Sequence, residues 1–585
     1  MKYPTFSAPN SNRDMVDVFK GYNHNLRIGD GEFFDMKNMT SDYYPVLAPR
    51  GQRGLYAAAN SPQGMIAKDA LCYVDGRDFV IDGYHVDMGL STASDDCPKQ
   101  LISMGAYVII MPDKKWINTL DLTEYGNIEA SFTTNSDVTF QICDIDGGEY
   151  AGTVVSPTAP ENPENMDYWI DTSSTPHTLN QYSATSAMWV SVATTYVKIS
   201  SPDIGAAFKQ YDGVTISGIV SEELQDLNGT MPIWACGRDY IVVVGIADTV
   251  ISQTVAEGAI TVARKMPNMD FIIESENRLW GCKYGVAANG AVVNELYASK
   301  LGDFKNWNCF MGLSTDSYAA SCGTDGQFTG AITHLGYPLF FKENCVHKVY
   351  GNYPANFQIQ TTACRGVQKG CEKSLAIVNE TLYYKARSAV CAYDGSLPTE
   401  ISSYLGDVSY SNAAAGAHGN KYYISMMDTD GVYHLFVFDT YKGMWHKEDN
   451  LQAAAFCSCR GELYCIEHGT GQIITMLGSG IQNKEKVSWM AETGIIGTSM
   501  PDMKYISRLT VRMSLAMGAK VSIYVQYDSM GAWLPLCNMS STNLRSFSVP
   551  IRTRRCDHLR LRFEGTGEAR IYSITKTIEE GSDLS

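Results

Sequence analysis

Apolar and polar residues alternate along most of the chain with the period of two that a half-buried antiparallel strand requires. The stretch "YYISMMDTDGVYHLFVFDTYKGMWHKED" shows it best: a strand, an Asp-Gly turn, a second strand, another turn, then Trp445. "LCYVDGRDFVIDGYHVDM" reads the same way, with Asp75-Gly76 and Asp82-Gly83 as hairpin signals. Further Asp-Gly pairs stand at Asp146, Asp212, Asp325, Asp394 and Asp430. Amphipathic helical stripes are nearly absent, and "PDIGAAFKQYD" holds at most one short turn. The fold class is all-β.

Between about Leu71 and Ile474 an apolar–aromatic strand, an Asp or Gly turn and often a closing Trp recur, as in "RLWGCKYG", "YPLFFKENCVHKVYG", "LYYKARSAVCAYDG" and "ELYCIEHGTGQIITM". The pieces lie roughly 30 to 55 residues apart, close to the length of a four-stranded propeller blade. The motif lacks a tryptophan–aspartate signature and leaves the blade count open. A Thr-, Ser- and Asn-rich stretch containing "SPTAPENPENMDY" breaks the rhythm and reads as a β domain inserted at a loop tip. From Lys486 the regularly spaced runs "YISRLTVRMSL", "AKVSIYVQYDSMGAWLPL", "LRSFSVPI" and "HLRLRFEG" predict a β-sandwich. The expected organisation is an N-terminal extended arm (1–55), a β-propeller (56–120 and 261–480), an inserted β domain (121–260) and a C-terminal β-sandwich (481–585).

Composition sharpens this picture. At 585 residues the chain is too long for a single core, and 45% apolar content is enough to bury several. Charged residues are 19%, with 35 tyrosines sharing the polar load, a balance suited to sheet surfaces and protein contacts. The net charge is 46 − 63 = −17, which argues against a general grip on phosphate backbones. The first residues lack a signal-peptide pattern, and "AYVIIM" and "YIVVVGIA" are strand-sized, so synthesis in a cytosol without membrane insertion is expected. The 16 cysteines then read as buried thiols.

Catalytic signatures are missing: no H-E-x-x-H, no G-x-S-x-G, no Walker loop and no aspartate boxes. A propeller glycosidase would need two paired carboxylates, which spacing does not reveal. Cys457, Cys459, Cys465 and His468 form the best zinc candidate, weighed against alternate strand positions that share a core. Cys364 and Cys371 are weaker. The Asp144–Glu149 and Asp428–Asp430 stretches hint at calcium loops but stop short of the ligand pattern, and hairpin turns explain them. Arg560 and Arg562 fall on the solvent face of a predicted strand. The expectation is a protein without enzymatic activity, metal or cofactor.

"GYNHNLRIGDGEFFDMKNMTSDYYPVLAPRGQRG" (21–54) has neither a long apolar run nor a helical stripe. Its Phe33, Phe34, Tyr43, Tyr44, Pro45, Arg50 and Arg53 are residue types favoured at interfaces, so the segment is expected to lie on another chain. This pattern, with its "KN" and "YPVL-x-x-R" pieces, resembles the N-terminal signature of tailed-bacteriophage virion proteins of the packaged-DNA stabilisation and tail-hub type. "ELYASKLGDFKNW", "GYPLFFKENCVHKVYG" and "AVCAYDGSLPTEIS" resemble their blade pieces. The resemblance implies a structural protein of the phage tail or head-to-tail junction, made in the bacterial host cytoplasm. It implies copies in a ring, six-fold or twelve-fold, bound to portal, adaptor and tail proteins around passing double-stranded DNA. The insertion and C-terminal domain lie outside the resemblance, and a receptor- or glycan-binding tail protein using the insertion is the alternative.

Overall fold

The computed structural model describes residues 11–92, 98–287, 290–481, 486–499, 503–552 and 554–580. Residues 1–10 of the expected arm, Cys97 and Thr553 lie outside the described residues. The chain is all-β; among the described residues the helices are short 3-10 turns, at Glu222–Leu227, Pro354–Asn356, Glu372–Ser374 and Ser403–Leu405. It divides into two compact units, one of 1–99, 341–346 and 362–585, the other of 100–340 and 347–361.

Four-stranded antiparallel sheets dominate both units. The first unit contains the sheets Pro62–Ala67/Leu71–Asp75/Asp78–Ile81/Tyr84–Asp87, Ala376–Val378/Thr381–Lys385/Val390–Tyr393/Thr399–Glu400 and Ser411–His418/Lys421–Met427/Tyr433–Asp439/Met444–Lys447. In each, successive strands are neighbours, and first strands pack on first strands: Ala376–Val378 on Ser411–His418, that strand on Ala453–Cys459, and Ala453–Cys459 on Pro62–Ala67. This is the construction of β-propeller blades. Middle strands are buried on both faces (Leu71–Asp75 throughout, five of six residues in Lys421–Met427 after the first), which is why the sequence shows short continuous apolar runs there. Trp445, on the last strand of its blade, is 1% exposed and donates its indole N–H to the Ile401 carbonyl at 2.8 Å.

The blade built on Ala453–Cys459, Glu462–Glu467 and Gln472–Thr475 takes its fourth strand from the other end of the chain, Gly54–Ala58, in antiparallel register (Ile473 opposite Ala57). Gly54 has no room for a side chain: a Cβ there would strike the Ser479 carbonyl and the Thr475 hydroxyl. The blade closes through an early strand that no local pattern pairs with a late one.

The second unit carries the blades Gln100–Met104/Tyr107–Met111/Lys115–Asn118/Tyr125–Asn127 and Phe271–Ser275/Arg278–Val286/Val292–Ala298/Tyr318–Ser321, and the larger part of a sheet of Gly330–His334, Tyr337–Lys342, Cys345–Tyr350 and Gln358–Ala363. Between the first two blades runs the inserted β structure, from Ala130–Thr133 to Thr261–Arg264, with a main core that includes Phe140, Val197, Ile199, Val214, Ile241 and Val262 and smaller clusters around Ile170 and Val242. Asp212 does not make a hairpin turn. It is 4% exposed, accepts a 2.5 Å hydrogen bond from Arg264 and another from Asn306, and so ties the insertion to a loop of the following blade.

The C-terminal sandwich is built from one continuous sheet curled on itself. Lys504–Tyr527 is a single 24-residue strand. The sequence reads as two strands because alternation breaks at Ala516-Met517-Gly518, where Gly518 has φ +75° and Met517 stands 94% exposed. At that break the strand exchanges partners on one side, from Ala569–Glu580 to Leu559–Thr566, while Leu534–Val549 follows its other side. Such a bulged corner lets one strand serve two layers. The N-terminal segment completes the sheet at both ends: Ser11–Val16 pairs with Ala569–Glu580, and Glu32–Lys37 pairs with Ser488–Thr493.

Candidate interaction surface

The Gly21–Gly54 segment is short of apolar runs because its buried residues are spread over several partners within its own unit. Phe33 is 1% exposed in the strand Glu32–Lys37, with the Phe19 ring 5.9 Å away. Phe34 lies between His24, stacked at 4.3 Å, and the Arg560 guanidinium at 4.6 Å. Met36, Met39, Leu47 and Ala48 are buried as well.

The two arginines are consumed in a compact ion-pair group. Arg53 donates to Asp449 at 2.8 and 3.1 Å and to Glu448 at 2.7 Å; Arg50 donates to Asp449 at 3.2 Å and to Asn38 at 2.9 Å. Burial alone would raise the Asp449 carboxyl, but the Arg53 and Arg50 guanidiniums outweigh it and hold it below the usual carboxylate range. Burial would likewise lower Arg53, and Glu448 and Asp449 reverse that. Of the residues expected at an interface, Phe33, Phe34, Arg50 and Arg53 therefore serve the chain's own fold.

Tyr43, Tyr44 and Pro45 use their backbone in the fold, as when the Pro45 carbonyl accepts from the Phe19 N–H at 3.1 Å, and leave their side chains exposed. They form, with Asp42, an exposed turn in which the Tyr44 N–H donates to Ser41 and the Val46 N–H to Tyr43; Tyr43 is 41% and Tyr44 42% exposed. The turn is seated firmly. Ser41 donates to Asp439 at 2.5 Å, Lys442 donates to the Ser41 carbonyl at 2.7 Å, and Lys421 pairs with Asp42 at 2.6 Å. The Arg570 guanidinium lies 4.4 Å from the Tyr43 ring and the Lys442 ammonium 5.9 Å from that of Tyr44. Tyr441, next to Lys442, is 83% exposed. Sequence reasoning missed Tyr441, which the fold sets beside the lysine that holds Ser41. The result is a tyrosine-rich, cation-flanked patch held on a rigid base, a combination favoured in interface anchors.

The candidate metal ligands do not converge. Cys457 stands opposite Tyr464 and Cys459 opposite Glu462, whereas Cys465 stands opposite Phe456, so Cys465 faces the other side of the sheet and joins a different core. Burial pushes the Cys457 thiol up to about 12, and Cys459 and Cys465 also up, away from the thiolate a metal needs. Among the described residues no three His, Cys, Asp or Glu side chains are grouped to hold an ion. The Asp144 carboxylate accepts from the Asp146 and Gly148 N–H groups, and Asp428 from Asp430, Val432 and His434, as turn-forming aspartates do. Arg560 and Arg562 pair with Glu492 at 3.2 and 2.8 Å. A polar cavity of about 340 Å³ near the first strands Pro62–Ala67 and Ala453–Cys459 is lined by Lys373, Gln63 and His468 among others. Glu467 is engaged by Thr470 at 2.9 Å, and among the described residues it is the one carboxylate in the lining.

No protein-family model and no curated protein matches the chain. Solved structures with some likeness include an exo-β-1,3-galactanase from Phanerochaete chrysosporium, 9% identical at TM-score 0.21 over 52% of this chain and 95% of that one. Others are apo AztD from Citrobacter koseri (8%, TM-score 0.26, 69% and 87%) and an acylaminoacyl peptidase from Pyrococcus horikoshii (10%, TM-score 0.22, 54% and 55%). At such values the likeness carries no argument about activity.

Proposed function

We propose that the chain is a structural virion protein of a tailed phage: a ring-forming hub or nozzle component of the head-to-tail or tail region that continues the DNA channel and retains packaged DNA. The observation that carries the reading is the Gly21–Gly54 pattern, whose tip displays Tyr43, Tyr44 and Pro45 on a base fixed by Lys442, Asp439 and Lys421. The partners are further copies, portal or adaptor proteins and tail proteins, and the protein works without catalysis or cofactor. A net charge of −17 per copy, repeated around a ring, keeps passing double-stranded DNA from adhering. Antiparallel blades expose few strand edges and suit a part under mechanical load.

Gold-labelled antibody against this chain, applied to purified phage particles, tests the assignment. Label at the junction of head and tail is expected; label at fibre tips, or particles free of the chain, would overturn it. A receptor- or glycan-binding tail protein is the second reading. It is favoured by the small sheet Val154–Ser156/Tyr168–Asp171/Thr178–Ser183/Met188–Ser191, where Trp189 meets Trp169 at 5.5 Å and Tyr182 at 5.3 Å beside exposed Met188 and Val190. Label at the tail tip, with binding of the chain to host cells that Trp189→Ala abolishes, would select that reading.

A further inference from the structure

One layer of the C-terminal sheet is open at both sides. Across the stretch Lys504–Leu515 the order is Ser11–Val16, Ala569–Glu580, Lys504–Leu515, Thr542–Val549, and a single row, Val16–Ile574–Val511–Phe547, crosses all four strands. Among the described residues, no strand pairs with the outer side of Ser11–Val16 or of Thr542–Val549. Each leaves a row of backbone N–H and C=O groups facing outward.

Natural edges are blunted by shortness, lysine, proline or inward charge. The second edge has none of these over "TNLRSFSV": eight residues without Lys, Asp, Glu or Pro, belonging to a strand of 16. It is apolar enough to expose Leu544 at 46%, and the first edge exposes Met15 at 58%. Every pairing in the layer is antiparallel, so the strand directions alternate from one side to the other. With four strands, the two outer ones run in opposite directions. A second copy set beside the first, in the same orientation, therefore brings its Thr542–Val549 against Ser11–Val16 with the polarity an antiparallel ladder requires.

The geometry points to a head-to-tail interface in which Ser11–Val16 of one copy and Thr542–Val549 of the next continue one intermolecular β-sheet. The inference rests on the ring reading given above and supplies its contact. The occupant is another copy of this chain because the two edges match each other in direction and continuity of layer, the six residues of Ser11–Val16 fitting within the eight of Thr542–Val549. Charge agrees: across these edges Arg13, Asp14 and Arg545 are the charged residues, and Asp14 is already held by Lys576 at 3.0 Å, so the contact avoids the net repulsion of an acidic protein. Such a contact is heterologous, leaving each copy with one free edge, and it closes when the rotation per copy divides a full turn.

Light scattering on the full-length protein over a concentration series, with two edge variants, tests this. Wild type is expected at multiples of 64.4 kDa. Asn12→Pro and Ser546→Pro, each blocking one edge, are expected at the monomer mass when alone. Mixed together they should form a one-to-one dimer, since the intact edge of each meets the intact edge of the other. Circular dichroism melting establishes that each variant is folded; Ser546→Glu with Ser548→Glu replaces Ser546→Pro if that variant is not, and Arg13→Glu with Met15→Glu replaces Asn12→Pro, both keeping every backbone donor. A wild type that is monomeric at every concentration would overturn the interface. So would an oligomer that survives both blocks, and that result would leave the ring reading standing on another contact. Failure of the antibody label at the head-to-tail junction, with edge pairing intact, would remove the ring's place in the particle and keep the interface.

Discussion

At the scale of single residues, side chains that look alike in the sequence separate into framework and display. Arg53 holds two carboxylates from within the fold, and its removal leaves buried Glu448 and half-buried Asp449 with Arg50 alone as counter-charge. Arg53→Ala is expected to lower stability by about 3 kcal/mol, the low end for a broken buried ion pair because Arg50 remains, and Arg53→Lys to recover only part of it, because an ammonium cannot bond both carboxylates in the forked geometry. Thermal melting of the purified protein reads both. Tyr44→Ala with Tyr441→Ala should leave melting nearly unchanged, surface changes of this kind lying within about 0.5 kcal/mol, while reducing incorporation into particles. His446 supplies a pH signature. It is 4% exposed, and burial, with Lys421 adding to it, pushes its imidazole down to about 3 from 6.5. Below pH 6.5 the unfolded chain takes up a proton that the folded chain refuses. The stability from this group is thus complete above 6.5 and lost as pH falls, by about 1.4 kcal/mol per pH unit. His446→Gln should flatten the wild-type slope between pH 6.5 and about 4, below which carboxylates titrate. Equilibrium unfolding at fixed pH steps checks it.

At the scale of elements, pairing between distant strands decides most of what matters. Gly54→Val would push the strand Gly54–Ala58 away from Gln472–Thr475, at a cost of about 1–3 kcal/mol. Hydrogen exchange in Gln472–Thr475 should then accelerate while the blade Ser411–Lys447 keeps its protection. The blades themselves were legible. Alternation, Asp-Gly turns such as Asp82-Gly83 (φ +48° and +82°) and buried runs such as "LCYVD" are local signals. The fate of the N-terminal segment was not, because its partners Asp449, Ser488–Thr493 and Ala569–Glu580 lie hundreds of residues away, and a polar stretch spread over several partners shows no face of its own. The bend of Lys504–Tyr527 was misleading for a related reason: a broken alternation looks the same whether the chain turns back or one strand changes partner. For the displayed surface, Tyr43, Tyr44 and Pro45 were found through residue type, while Tyr441 required the fold.

At the scale of the whole molecule, the cysteine-rich strand shows how a candidate site dissolves once faces are assigned. With Cys465 on the opposite side from Cys457 and Cys459, addition of zinc or of a chelator should leave the melting temperature unchanged; a shift of several degrees with metal would reverse that reading. The larger pattern is that both ends of the chain are written into the same structures. Ala57 pairs with Ile473, and the first described strand with the last. A ribosome releases these partners far apart in time. The separation of 473 − 57 = 416 positions corresponds to about 20–80 s of synthesis at 5–20 residues per second. During that interval the early strands have emerged and their partners do not yet exist. The last blade can close only after Gln472–Thr475 has been made and the C-terminal sheet only after Ala569–Glu580, so a product that stops short of them leaves Gly54–Ala58 and Ser11–Val16 without their partners.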